Sequence, residues 1–335
     1  MREFSYIRAT SVVEASEGAM QAGAMLLGGG TTLLDLAKCG VAAPETVIDV
    51  THLSGLSGIE VDAGEAKIGA LAKMSAVADD PAIVAAFPAI SQSLTLAASQ
   101  QLRNMATIGG NLLQRTRCPY FRDPGTFSAC NKRAPGSGCS AIGGVTRNQA
   151  VLGVSDACIA TYHGDLAVAL VAFDAVVEIG QHSVPIDDFF LVPGDTPERE
   201  TVIEKGEIIT GIRVPASAAA KNSVYLKVRD RQSYEFAAAS AAVGLELEDD
   251  GRTVRDIRVA LGGVATKPWR ARGVEQALIG KVIDAETVRA ASLAAVEGAV
   301  SNGGNHYKIE LAPRVVARAI LELASKSKEI SGGQA

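Results

Sequence analysis

Aromatic side chains are scarce in this 335-residue chain, at 4% of the total with a single Trp. Alanine and glycine are abundant instead, so a core of small aliphatic side chains is expected. No apolar run approaches the ~20 residues that a membrane-spanning helix needs, and no such span is expected. Positive charge is not in excess either: 32 basic against 37 acidic residues leave a net charge of −5. With no basic-aromatic motif to offset it, that balance argues against nucleic-acid binding. Neither G-x-x-x-x-G-K-[ST] nor G-x-G-x-x-G occurs, which removes the P-loop and the Rossmann dinucleotide fingerprint. Cysteines never occur as the C-x₂-C pair of common structural zinc sites. Met1-Arg2-Glu3-Phe4 leads straight into ordinary sequence without a signal-peptide pattern, so disulfides are not expected.

What is present is concentrated in one stretch. Four of the five cysteines, Cys118, Cys130, Cys139 and Cys158, fall in a segment punctuated by proline and glycine, which predicts neither a packed helix nor a long strand. A loop of this length inside a folded protein is usually functional or disordered. The intervals of 11, 8 and 18 residues match no ferredoxin pattern. Three readings stand open on spacing alone: unrelated buried thiols, disulfides, or a four-thiolate zinc or iron–sulfur centre. Between 115 and 147 six basic residues (Arg115, Arg117, Arg122, Lys132, Arg133 and Arg147) face a single acid, Asp123. This local reversal of sign suits either an anionic occupant or a solvated basic loop.

The pattern along the chain suggests helix over 11–27, interrupted at the glycines, then strands in TVIDVTHL, GIEVD and AKIGAL. Residues 75–99 read as helix broken near Pro81 and Pro88, DLAVALVAFDAVVEIG as a helix followed by a strand, and GEIITGIRVP as a strand ended by Pro215. The low-complexity stretch ASAAAKNS is the linker candidate, at about 216–222. Beyond it, three strands with a turn at Asp249-Asp250-Gly251, then two amphipathic helices, predict a compact α+β unit to about 330. The last residues, 329–335, are expected to fray.

Two glycine loops carry the remaining chemistry. Leu26-Leu27-Gly28-Gly29-Gly30-Thr31-Thr32-Leu33 reads as a strand end, a turn and a helix start, where bare backbone amides can approach a phosphate. Thr107-Ile108-Gly109-Gly110-Asn111 repeats that chemistry about 80 residues later. Each loop alone is equally a plain tight turn; together they could grip two ends of one pyrophosphate.

These loops, followed by Asp165 in HGDLAVAL and by Tyr225-x-Lys227-x-x-x-Arg231-x-x-x-Glu235-x-Ala237, resemble the FAD-binding subunits of the xanthine dehydrogenase family of molybdenum hydroxylases. The resemblance covers nearly the whole chain and implies an α+β fold. A two-subdomain FAD-binding domain of the vanillyl-alcohol-oxidase type would occupy 1–217, divided at about 55 and carrying a cysteine loop at 115–160. A domain like that at the C-terminus of the carbon monoxide dehydrogenase flavoprotein would occupy 222–328. It implies that Leu26, Leu27, Gly28, Gly29, Gly30, Thr31, Thr32 and Leu33 wrap the FAD diphosphate, with Thr32 standing where the family usually has an acid. Thr107, Gly110, Asn111 and Leu113 would form the second half of the site. Asp165 would bind the ribityl region, Ile209 would pack on a ring, and Lys227 would sit near the flavin.

Most members of that family lack a cysteine-bearing insertion after T-I-G-G-N. Here the resemblance is to the aldehyde oxidoreductase type, which implies a [4Fe–4S] cluster on Cys118, Cys130, Cys139 and Cys158, with Cys39 a free thiol. The implied activity is oxidoreductase electron transfer, with no catalytic acid, base or nucleophile in this chain. A molybdenum-cofactor large subunit and a [2Fe–2S] small subunit would be partners in a heterotrimer or its dimer. Oxygen, a quinone or a carrier protein is expected as external acceptor rather than NAD⁺. With no signal of its own, the chain would be periplasmic by co-export with a partner, or cytoplasmic. The rival reading is a stand-alone FAD-dependent oxidase with a structural zinc loop.

Overall fold

The computed structural model describes residues 1–332, with side chains through 326. Three sheets organise it. The first is parallel, in the order β1 (Ser5–Arg8), β3 (Thr46–Asp49), β2 (Ala24–Leu27). Helices α1 (Val12–Ala19) and α2 (Leu33–Lys38) connect these strands. The helix expected over 11–27 is therefore shorter. It stops at Ala19, and after Gly23 (φ +67°) the apolar run AMLL pairs with β3 as a strand. An apolar run of four is too short for its periodicity to separate the two states.

The second sheet has five strands, β4 (Ile59–Val61), β5 (Glu65–Gly69), β8 (Ile209–Pro215), β6 (Val176–Ile179) and β7 (His182–Pro185), all antiparallel in that spatial order. Prolines end one helix and start the next along α3 (Met74–Asp79), α4 (Pro81–Ala86) and α5 (Pro88–Thr95). Pro81 and Pro88 sit in the first turns of α4 and α5, where a missing N–H costs nothing. Short helices α6 (Gln100–Met105), α7 (Ile108–Leu112) and α8 (Pro119–Arg122) follow. The wholly buried α9 (Asp165–Ala172) and the short α10 (Ile186–Phe189) complete this part. Its core is aliphatic with few rings, among them Phe87, Phe173, Phe189 and Phe190.

Residues 216–222 hold one helical turn, α11 (Ala218–Lys221), in place of an open linker. The third sheet is antiparallel: β9 (Ser223–Val228), β10 (Ala239–Leu247), β11 (Val254–Gly262) and β12 (Trp269–Arg270). Helices α12 (Arg272–Leu278), α13 (Ala285–Ser292) and α14 (Tyr307–Gly332) belong with it, α14 running along β9 and β10. α14 continues through residues 329–332 where fraying was expected, and residues 333–335 lie outside the described residues. Among the described residues no helix is long and apolar enough to cross a membrane.

The cysteine segment forms a small core of its own. Leu36, Tyr120, Phe121, Ala141, Ile159 and Ala160 pack around Cys118, Cys130 and Cys158. Its regular structure is α8 and isolated bridges that pair Cys130 with Cys139, Ser155 with Cys158 and Leu152 with Ala265.

Candidate FAD and metal centres

The two glycine loops meet. Gly30 takes φ +74°, a region open to glycine, and turns the chain from β2 into α2. A β-carbon on Gly28 would lie 2.8 Å from Thr107 Oγ1, and one on Gly29 only 2.1 Å from the Met105 carbonyl oxygen. Thr107 caps α7 by accepting a hydrogen bond from the Gly110 amide (3.3 Å). Bare backbone thus approaches bare backbone, and both loops face one cleft.

That cleft has two compartments sharing Thr31, Thr32 and Gly110. One, of about 450 Å³, is lined by Leu26, Gly28 to Leu33, Thr107, Gly110, Leu113 and residues 203–209, including Ile209. The other, of about 380 Å³, is lined by Asn111, Asp165, Asp35, Arg117, His163 and, from the β9–β10 hairpin, Arg231, Tyr234, Glu235 and Phe236. Asn111 Oδ1 is buried without a hydrogen-bond partner among the described residues, an acceptor left over in the wall.

Leu27 and Lys227 line neither compartment. Lys227 stands behind Asp165, its Nζ 2.8 Å from Asp165 Oδ2 and 3.1 Å from the Leu96 carbonyl. The Tyr225 hydroxyl donates to the other carboxylate oxygen at 2.6 Å. Burial pushes the Asp165 carboxyl up, and Lys227 and Tyr225 oppose that shift. His163 is driven down to about 3 by burial and then by Lys308 and Arg117, so a neutral imidazole faces the cleft.

Arg117, His163, Asp35, Tyr234 and Phe236 went unassigned from sequence. The only local signals were the neighbourhoods of Cys118 and of the HGD turn, and the Arg231/Glu235 spacing for the hairpin. Asp35 on α2 holds both Arg117 (3.0 Å) and Arg122, tying the cysteine segment to the helix that starts at the first glycine loop.

The four cysteines expected as ligands line a single small cavity with Tyr120, Phe121, Asn131, Lys132 and small residues. All are free thiols. Burial raises Cys118 and Cys158. Gln149 Nε2 donates to Cys118 Sγ (3.3 Å) and the Ala160 amide to Cys158 Sγ (3.5 Å), the donors that a thiolate ligand accepts. Burial also lowers the Lys132 amine to about 8, and the surrounding sulfurs work the other way. Among the described residues no three His, Cys, Asp or Glu side chains are placed to hold a single metal ion. Cys39 is apart, 4.0 Å from Arg122 Nη2.

A family model described as the FAD-binding domain in molybdopterin dehydrogenase matches residues 2–217. Another, the CO dehydrogenase flavoprotein C-terminal domain, matches 224–323. This chain is an FAD-binding subunit of the molybdenum hydroxylase family. Among these FAD-binding subunits it is 42% identical to the aldehyde oxidoreductase FAD-binding subunit PaoB of Escherichia coli K12, over 98% of this chain and 100% of that protein. It is 30% identical to the carbon monoxide dehydrogenase medium chain of Hydrogenophaga pseudoflava, over 95% and 96% of the two. A solved carbon monoxide dehydrogenase from H. pseudoflava, lacking the Mo-pyranopterin moiety, superposes with a TM-score of 0.74 at 28% identity, covering 97% of this chain and 98% of that one.

Proposed function

We propose that this subunit carries FAD in the two-compartment cleft and a [4Fe–4S] cluster on Cys118, Cys130, Cys139 and Cys158. In this reading it serves electron transfer in a molybdenum hydroxylase of the aldehyde oxidoreductase type. The observation that supports it best is the pairing of sites: a cleft floored by two touching glycine loops, beside a cavity lined by four thiols. The two share the segment 110–118.

Residues 1–217 form the FAD-binding domain in this reading, and 222–328 supply the hairpin that overhangs the compartment lined by Asn111 and Asp165. The Gly28–Thr32 and Thr107–Asn111 backbones hold the diphosphate where the compartments join. Ile209 packs at one end, and Asp165, fixed by Tyr225 and Lys227, presents a carboxylate edge to the ribityl hydroxyls. Lys227 acts through Asp165. Bound FAD supplies a centre that takes electrons singly and releases them in pairs. Four thiols lining one cavity, two of them accepting N–H donors, supply the ligand set of the cluster in this reading.

The partners are a molybdenum-cofactor large subunit and a [2Fe–2S] small subunit, as befits a medium subunit. The test is composition. The purified complex should contain extractable FAD, co-purifying large and small subunits, and about four iron and four acid-labile sulfide per copy of this chain beyond those of the small subunit's [2Fe–2S] centres. Flavin with about one zinc, no sulfide and no partner chains would refute the reading in favour of a stand-alone oxidase.

A further inference from the structure

Lys132 lines the cysteine cavity, and it shares its carboxylate partner Glu200 with Arg115, which lines the glycine-loop compartment. Lys132, two positions after Cys130, has a side chain only 9% exposed. Its Nζ lies 2.9 Å from Glu200 Oε1 and donates to the Pro197 carbonyl at 2.9 Å. Arg115 pairs with the second oxygen of the same Glu200 while covering the Phe121 ring at 4.9 Å. One carboxylate between two cations leaves Lys132, the one of the two that lines the cavity, without a full counter-charge of its own. The adjoining side chains, Phe121, Ala129, Ala141 and Ala157, supply no anion. A buried ammonium lacking a full counter-charge is strongly unfavourable, so the arrangement calls for an anion inside the cavity. Four thiolates around iron provide it.

We propose that Lys132, seated by Glu200, sets the reduction potential of the cluster in the four-cysteine cavity. This rests on the cluster reading above. Reduction adds one electron and makes the occupant more negative, so the Lys132 charge favours the reduced form and the Glu200 charge opposes it. The two residues are levers of opposite sign on one equilibrium. A residue that merely packed the wall would not act this way.

The test is a redox titration of the purified complex, following the spectroscopic signal of the reduced cluster, together with iron and sulfide analysis. Lys132→Met should lower the midpoint, cutting the reduced-to-oxidised ratio at a fixed potential about tenfold, or ~59 mV for one electron. Lys132→Arg should keep the wild-type value, and Glu200→Gln should raise it. If Lys132→Met loses its cluster, Glu200→Gln decides: an upward shift supports the inference and an unmoved midpoint overturns it. Iron and sulfide present with unmoved midpoints in both variants overturn this inference alone. A wild-type complex with no iron and sulfide beyond those of the small subunit's [2Fe–2S] centres overturns the cluster reading and this inference with it.

Discussion

Lys227 Nζ sits 2.8 Å from Asp165 Oδ2, with side chains 1% and 4% exposed. Neither charge can be solvated, so each depends on the other. Breaking such a pair from one side costs about 3–5 kcal/mol, because the remaining charge is left buried and alone. Lys227→Met should therefore lower the unfolding midpoint sharply and weaken FAD retention, since Asp165 walls the cleft. Lys227→Met with Asp165→Asn should recover much of the lost stability. Denaturant unfolding of the double-mutant cycle checks this; a double variant as unstable as the sum of the singles would contradict it.

Gly29 has no room for a methyl group. Its β-carbon would lie 2.1 Å from the Met105 oxygen and 2.8 Å from Ala106 Cα, both backbone atoms that cannot rotate away. Gly29→Ala must push the two glycine loops apart, at about 1–3 kcal/mol by analogy with overpacked cores. The purified variant should have lost most of its flavin absorbance while its iron content stays near wild type. Full flavin content in Gly29→Ala would show that the contact between the loops is not what shapes the site.

How far the sequence revealed this site depends on the residue. The loops at 26–33 and 107–113 were legible because glycine has a local conformational meaning, and the four cysteines because of their context. Strand β2 was not, since Ala24–Leu27 gains its state from pairing with β3. The partnership of Lys227 with Asp165 spans 62 residues and is fixed by how β9 lies against α9. No local pattern reports that. The overhang of Tyr234 and Phe236 likewise depends on where the β9–β10 hairpin lands, although the spacing of Arg231 and Glu235 marked the segment.

Lys308 gives the protein a pH dependence in the alkaline range. It is buried, donates to the Gly263 carbonyl at 2.6 Å, and burial lowers its amine to about 7 from 10.5. Between those values the unfolded chain binds the proton and the folded one does not. Stability from this group is then complete above the unfolded pKa and is lost as pH falls towards 7. The slope is at most about 1.4 kcal/mol per pH unit. Denaturant midpoints measured from pH 7 to 10 should climb less steeply in Lys308→Met than in wild type. Parallel curves would show that Lys308 keeps its proton in the folded state.

The fifth thiol separates a site from a coincidence of composition. Cys39 closes α2 and lies beside Arg122, outside the cavity that Cys118, Cys130, Cys139 and Cys158 line. A count of cysteines would treat all five alike; the geometry does not. Cys39→Ser should retain wild-type iron, sulfide and flavin. Under the proposed cluster assignment, Cys118→Ser should lose the iron and sulfide held by this chain, because the buried cavity offers no fifth sulfur among the described residues as a substitute. Flavin should survive in part, since the glycine loops do not depend on the cluster for their contact. Parallel metal analysis of the two variants checks the assignment, and equal iron loss in both would mean that Cys39, not the cavity set alone, holds metal.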